Sequence, residues 1–323
     1  MNKKVVGYVT SIVVIFSVVG LVWINHYDIY DWAKLRNYHP PAQIAELATQ
    51  SGMNNYGRTL FYVNDPKILD KATFQAECSQ AEQTIVLGCY NGRNIYIYKV
   101  DDPTLNGVEQ VTAAHEMLHA AYQRLSPVEK KHVDELLQAA YYRLNDPELI
   151  KTFESYHKSE PGEEWNEMHS VMGTEYSNLG PELDTYYSKY FSDRSKVFTY
   201  SKKYKQIFDD LKNQVEQYDA QLSLLKADID QKQSELDTQL SNLEIQKTQL
   251  NSLLSSNKNA VYNSQVSIYN ATVYSYNINA NNLKSLIGQY NSLVEQRNKI
   301  TVQQQTLAKN IDSRATQQID PKN

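Results

Sequence analysis

The chain has 323 residues, enough for one or two domains of ordinary size, with 32 Lys and Arg against 37 Asp and Glu and a formal net charge of −5. With that balance, no basic block and no stripe of basic residues interleaved with aromatics, nothing in the sequence points to nucleic acid as a partner. Charged residues make up 21%, so the remaining polarity rests on Asn, Gln and Ser, and their uneven spread marks a second region.

At the N-terminus, Lys3 and Lys4 precede an uncharged apolar run from Val5 to about Ile24. About 20 such residues cross the ~30 Å hydrocarbon core at 1.5 Å per residue. A cleaved signal peptide has a shorter apolar region, about 7–15 residues, and ends in small residues; this run ends in Gly20-Leu-Val-Trp-Ile. The expectation is an uncleaved single-pass anchor in a cytoplasmic membrane, N-terminus inside, with the lipid bilayer as partner, Trp23 and Tyr27 at the outer interface and the bulk of the chain extracytoplasmic. The two cysteines, Cys78 and Cys89, are expected to form one disulfide in that oxidising setting, closing a short loop and contributing ~3 kcal/mol by chain entropy.

Residues 26–57 read as a linker and first helix, which follows Pro40-Pro41 and stops at Gly52. "RTLFYV" (58–63) is a strand candidate. Asp65 reads as the N-cap and Pro66 as the first residue of a helix running to Cys78. "TIVLGCY" and "NIYIYKV" are β-rich runs joined near Asn91-Gly92, a hairpin signal. A helix then starts near Val108. Ser126, Pro127 and Glu129 open the next with a capping box, and further helices cover the stretch before "EPGEEW", the segment "GEEWNEMHSVMG" ending at Gly173, and a last one from Pro181.

From about 200 the pattern changes. Tyr204, Phe208, Leu211, Val215, Tyr218, Leu222, Leu225 and Ile229 alternate four and three apart, a heptad seam. Lys232, Leu236 and Leu240 then step by four and four, a stutter, and Leu243, Leu250 and Leu254 continue it. After an interruption at 255–260, a second seam runs through Tyr269, Val273, Tyr276, Ala280, Leu283, Ile287, Tyr290 and Val294, and later Ile300, Leu307 and Ile311. Two arms of about 50 residues predict an antiparallel hairpin ~75 Å long, with a parallel dimer as the alternative and a protein partner as the arm's expected client.

The chemistry is concentrated in "VEQVTAAHEMLHAAYQRLSP" (108–127). His115 and His119, four apart on one helix face, can ligate one Zn²⁺. Glu116 is then the general base for a metal-activated water. The flanks are small and apolar, as a buried helix requires, and "NIYIYKV" is a candidate edge strand for an extended substrate. The H-x-x-G-x-x-H continuation is absent, so the third ligand has to come from further along, and within "EPGEEWNEMHSVMGTE" the segment Asn166-Glu167-Met168-His169-Ser170 stands out.

These two motifs resemble those of gluzincin-type zinc metallopeptidases, whose third ligand is a Glu on a downstream helix, and N-E-x-x-S is similar to the thermolysin-like ligand segment. Val171 stands where that segment has an Asp that orients a zinc histidine, which leaves the histidine's partner unassigned. The resemblance implies His115, His119 and Glu167 as metal ligands, Glu116 as base, Zn²⁺ as cofactor, and a protein or peptide as substrate. Glu175 is the strongest alternative ligand, with His169, Glu163 and Glu164 behind it. Glu163 and Glu164 also read as a solvated acidic face, and Tyr176 and His169 are candidates for the oxyanion stabiliser. The expected fold is an α+β zincin-like domain (a small sheet plus the active-site and downstream helices) followed by an all-α antiparallel coiled-coil hairpin and preceded by one N-terminal transmembrane helix. The expected boundaries are 1–25, 26–57, 58–195, 196–315 and a tail, 316–323. Two functions compete: an extracytoplasmic zinc endopeptidase, and a non-catalytic membrane-anchored coiled-coil scaffold on a degenerate peptidase domain.

Overall fold

The computed structural model describes residues 20, 25–78, 87–159, 161–256 and 258–313. They divide into two compact units: one reaches Gln206 and resumes at Lys309, and the other is Ile207–Ala308.

The first unit opens with helices α1 (His26–Leu35), α2 (Ala42–Gln50) and α3 (Asn55–Val63). α3 replaces the strand expected at 58–63. The Asn54 side chain accepts from the Gly57 amide and starts the helix, and Gly57, Leu60, Phe61 and Val63 then fall on one buried face. Packing outweighs the β-propensity of "LFYV". Next come β1 (Lys67–Leu69), α4 (Lys71–Glu77), β2 (Gly88–Tyr90) and β3 (Ile95–Tyr98). The expected helix from Pro66 is therefore shorter: its cap is Asp70, which accepts from the Ala72 and Thr73 amides, and the residues before it form β1.

The sheet order is β1-β3-β2. β1 runs parallel to β3, with Ile68 opposite Ile97, and β2 runs antiparallel to it, with Cys89 opposite Tyr96. Side chains alternate across a strand. Ile95 and Ile97 accordingly enter the main core, while Tyr96 and Tyr98 pack with Phe74 in a separate cluster. Cys78 and Cys89 form the disulfide, Cα–Cα 6.0 Å, and tie the end of α4 to β2.

Helices complete the unit: α5 (Val108–Gln123), α6 (Pro127–Leu144), α7 (Pro147–Ser159), α8 (Glu164–Glu175) and α9 (Pro181–Tyr187). The Ser126–Glu129 capping box of α6 forms as the sequence suggests. α5 is the central element. Val111, Ala113, Ala114, Met117, Leu118 and Ala121 are all in the core, against Met168, Val171 and Met172 of α8. Its C-terminal end is pinned to α1 by a half-buried bidentate pair, Arg124 to Asp31, at 2.6 and 2.8 Å.

The described residues are 78% helical with only three short strands, and this corrects the α+β expectation. Among the described residues no helix is long and apolar enough to cross a membrane. On that finding the N-terminal transmembrane helix and the single-pass membrane placement are corrected. Of the run from Val5 to Ile24 that suggested them, all but Gly20 lies outside the described residues. The first helix past that run, α1, has ten residues and carries Asp28, Asp31 and Lys34, too short and too polar for a span.

The second unit lies within two long helices, α10 (Ser195–Ser255) and α11 (Asn259–Asn310). They run antiparallel within one chain: Tyr218 bonds Gln296 at 3.2 Å, Asp219 pairs with Arg297 at 2.9 Å, and Asn279 donates to Gln239 at 3.1 Å. The α10 seam holds its four-three alternation from Leu211 to Leu253 without a stutter, with Lys232, Gln239 and Gln246 turned inward. Leu240, read from sequence as a seam residue, is 44% exposed, and Ile287 is 41% exposed; Gln239 and Leu286 take the inward positions. The end of α11 rejoins the first unit, where Asn310 donates to Asp102 and Lys71 and Gln75 donate to the Asp312 and Ser313 carbonyls, each at 2.8 Å.

Candidate metal centre

α5 begins at Gly107, whose φ of +119° suits a residue without a side chain. One helical turn separates His115 from His119, and their ring centroids lie 4.8 Å apart. α8 packs across α5 closely because Gly173 faces Leu118: a Cβ there would stand 2.4 Å from Leu118 Cδ1. The helix therefore continues through Gly173, which sequence reading took as its end, to Glu175.

This packing delivers Glu167 to both imidazoles. His115 Nε2 lies 3.6 Å from Glu167 Oε2, and His119 Nε2 lies 3.4 Å from Oε1. Donor atoms of the three residues all lie within 4.8 Å of one another. Two ligands held tetrahedrally at about 2.1 Å from one ion are about 3.4 Å apart. The trio, two imidazoles and a carboxylate, therefore fits a divalent metal in spacing and in donor chemistry.

The electrostatics agree with a preformed ligand set. Burial disfavours a charge on His115, but the hydrogen bond to Glu167 and the carboxylates of Glu116, Glu167 and Glu175 outweigh it and lift its pKa to about 9. His119 moves the other way, lowered by burial and then by the charge of His115. Burial opposes ionisation of Glu167, yet the two histidines and a hydrogen bond from Tyr156 hold its pKa below the usual value. Without metal, the centre thus holds a proton on His115 and a carboxylate at Glu167.

Glu116 is 5% exposed and shares α5 with the histidines without joining their cluster. It lies under β2, where a Cβ on Gly88 would stand 2.6 Å from Glu116 Oε1. The strand beside the site is therefore β2, at the sheet edge among the described residues. β3, the strand of "NIYIYKV", is central and buried along its length.

The other residues weighed from sequence fall elsewhere. Glu175 pairs with Lys205 at 2.5 Å. Glu164 is buried and bonds His157 Nδ1 at 2.6 Å and the Gly162 amide at 3.0 Å, so it is no solvated face. Tyr176 reaches Asp146 at 3.2 Å. His169 is fully buried, 2.9 Å from the Tyr186 hydroxyl, and burial, with the charges of His119 and His115, drives its pKa to about 3. Two residues near the ligands were not assigned a role from sequence. Tyr156 bonds Glu167, and Asn166 Oδ1 lies 3.0 Å from His119 Nδ1. Asn166 was legible as half of the N-E pair, but Tyr156 carried no signal among 25 tyrosines.

No family model matches the chain, and no curated protein or solved structure is significantly similar to it.

Proposed function

We propose that this chain is a zinc-dependent peptidase of the gluzincin type, with His115, His119 and Glu167 as ligands. The observation that carries the reading is the convergence of Glu167 on both histidines at 3.4 and 3.6 Å, while Glu116, on the histidine helix, stays outside the trio. A bound Zn²⁺ supplies Lewis acidity toward a water and a scissile carbonyl. Glu116 takes the proton of the attacking water and returns it to the leaving amine. Among the described residues β2 is an edge strand, and an extended polypeptide substrate is proposed to add beside it by main-chain hydrogen bonds.

Metal analysis and a peptide-cleavage assay on the full chain test this. About one zinc per chain is expected, lost on His119→Ala, whereas Glu116→Gln keeps the zinc and loses cleavage. A wild-type chain that binds no zinc, or a Glu116→Gln variant that cleaves at the wild-type rate, overturns the reading. The first of these results favours the scaffold.

A further inference from the structure

The seam of a two-helix hairpin needs apolar residues at two positions of each heptad, and a third apolar line marks a helix with more than one helical neighbour. α11 carries such a third line. Val266, Val273, Ala280, Ile287 and Val294 recur every seven residues, one position beyond the inward line of Asn279, Leu286 and Leu293. Four of the five are half-buried and Ile287 is 41% exposed, so packing within the chain does not use them up. The line on the other side of the seam is polar and exposed: Ser275, Asn282, Gln289, Gln296 and Gln303.

α10 adds to the same flank. Asp219 reaches Arg297 there at 2.9 Å, and Leu240 and Leu254 repeat its heptad position, 44% and 55% exposed. At 1.5 Å per residue the flank from Val266 to Val294 is about 42 Å long, and two helices make it about 20 Å wide. Covering it buries roughly 800 Å² on each side, the size of a standard stable interface.

Charge selects the occupant. α10 has nine Asp and Glu against four Lys over 207–255, whereas α11 has one Glu against three Lys and Arg over 259–308. Outside the apolar flank, α10 lines up Glu216, Asp230, Asp237 and Glu244, and α11 lines up Asn270, Asn277, Lys284 and Asn291, all exposed. One rim accepts hydrogen bonds and the other donates them. A second copy turned about a twofold axis along the hairpin lays its α10 beside α11, antiparallel, and brings each rim against its complement. In the register set by Asp219–Arg297 and Gln239–Asn279, Lys284 stands level with Gln233, between Asp230 and Asp237. That axis keeps the same register between copies. A twofold axis across the hairpin would instead set α10 against α10, acid against acid.

We propose that the hairpin pairs with a second copy of this chain through the Val266–Val294 flank and closes an antiparallel four-helix bundle. The proposal is independent of the metal centre.

The test is sedimentation equilibrium of the full chain at about 1–100 µM, with circular dichroism to confirm that each variant keeps its helix content. The wild type should fit a monomer–dimer equilibrium and be mostly dimeric at the upper end. Ile287→Glu should keep the hairpin and weaken the dimer at least about tenfold, because it sets a carboxylate against apolar and acidic surface. Lys284→Glu should weaken it about three- to tenfold. Lys284→Glu combined with Asp237→Lys should restore the affinity to within about twofold of wild type, a rescue that an axis across the hairpin does not give. A wild type that stays monomeric throughout overturns the proposal and leaves the flank to a helix of another protein. A dimer indifferent to Ile287→Glu, or a charge swap without rescue, overturns it as well. If Ile287→Glu does not fold, the charge swap decides.

Discussion

Gly88→Ala is the sharpest perturbation available, because it presses on Glu116 and leaves the ligands alone. The added Cβ would stand 2.5 Å from Thr112 Cγ2, 2.6 Å from Glu116 Oε1 and 2.8 Å from Glu116 Cγ. Carbon contacts are comfortable at about 3.5–4.0 Å, so the neighbours must yield by roughly 1 Å. Oε1 can swing away, but Cγ and the Thr112 methyl move only with their χ1 angles or with the backbone. β2 has little room to retreat, being paired to β3 and tied by Cys89 to Cys78. The overpacking should cost about 1–3 kcal/mol of stability, read by urea unfolding. A general base displaced by about 1 Å should lower the cleavage rate on the order of 100-fold. Zinc content should stay at the wild-type value, since none of His115, His119 and Glu167 is among the nearest atoms. A Gly88→Ala chain that folds and cleaves at the wild-type rate would refute the reasoning, for then either Glu116 is not confined by β2 or it is not the base. Loss of zinc together with activity would show that β2 supports the ligands as well.

In the metal-free centre His115 keeps its proton up to about pH 9, whereas His119 and Glu167 are shifted down and have none to lose near neutrality. Zinc must expel one proton, so its apparent affinity should weaken about tenfold for each pH unit below about 9; chelator competition between pH 7 and 8.5 checks this, and a flat profile contradicts it. In the hairpin, Gln246 Oε1 is buried without a hydrogen-bond partner among the described residues, so Gln246→Leu should raise stability by about 1 kcal/mol, and a lower melting temperature would show that the amide is satisfied.

The cluster of His115, His119 and Glu167 was legible because its first two members are fixed by local geometry. Any helix puts i and i+4 on one face, and the flanking alanines announced burial. Its third member, Glu167, was legible as part of a short motif. What sequence could not supply was the direction of side chains between helices. Asn166 and Tyr156 matter only because α8 and α7 bring them to α5, and no spacing rule encodes that. Local propensity misled at 58–63, where aromatic and β-branched residues suggested a strand and the Asn54 cap with a buried helical face prevailed. In α10 a preference for the apolar Leu240 over Gln239 produced a stutter. The heptad itself, carried forward from Ile229 through Lys232 and Leu236, leads to Gln239, and the amide is acceptable there because Asn279 bonds it.

Gly173 shows the same limit most clearly. A glycine near the end of an amphipathic run reads as a helix stop, since glycine tolerates the left-handed conformation of a C-cap. Here it is helical and marks a close approach instead: a side chain would meet both Leu118 and Tyr187, at 2.4 and 2.7 Å. Leu118 adjoins His119, and Gly173 stands six residues beyond Glu167 on α8. The separation of the two helices at this crossing therefore sets how far the Glu167 carboxylate stands from the imidazoles. Any larger residue at 173 would lever α8 away from α5 and spread the donor atoms of the cluster. The residue that sequence reading assigned to ending a helix is, in the folded chain, part of what brings His115, His119 and Glu167 together.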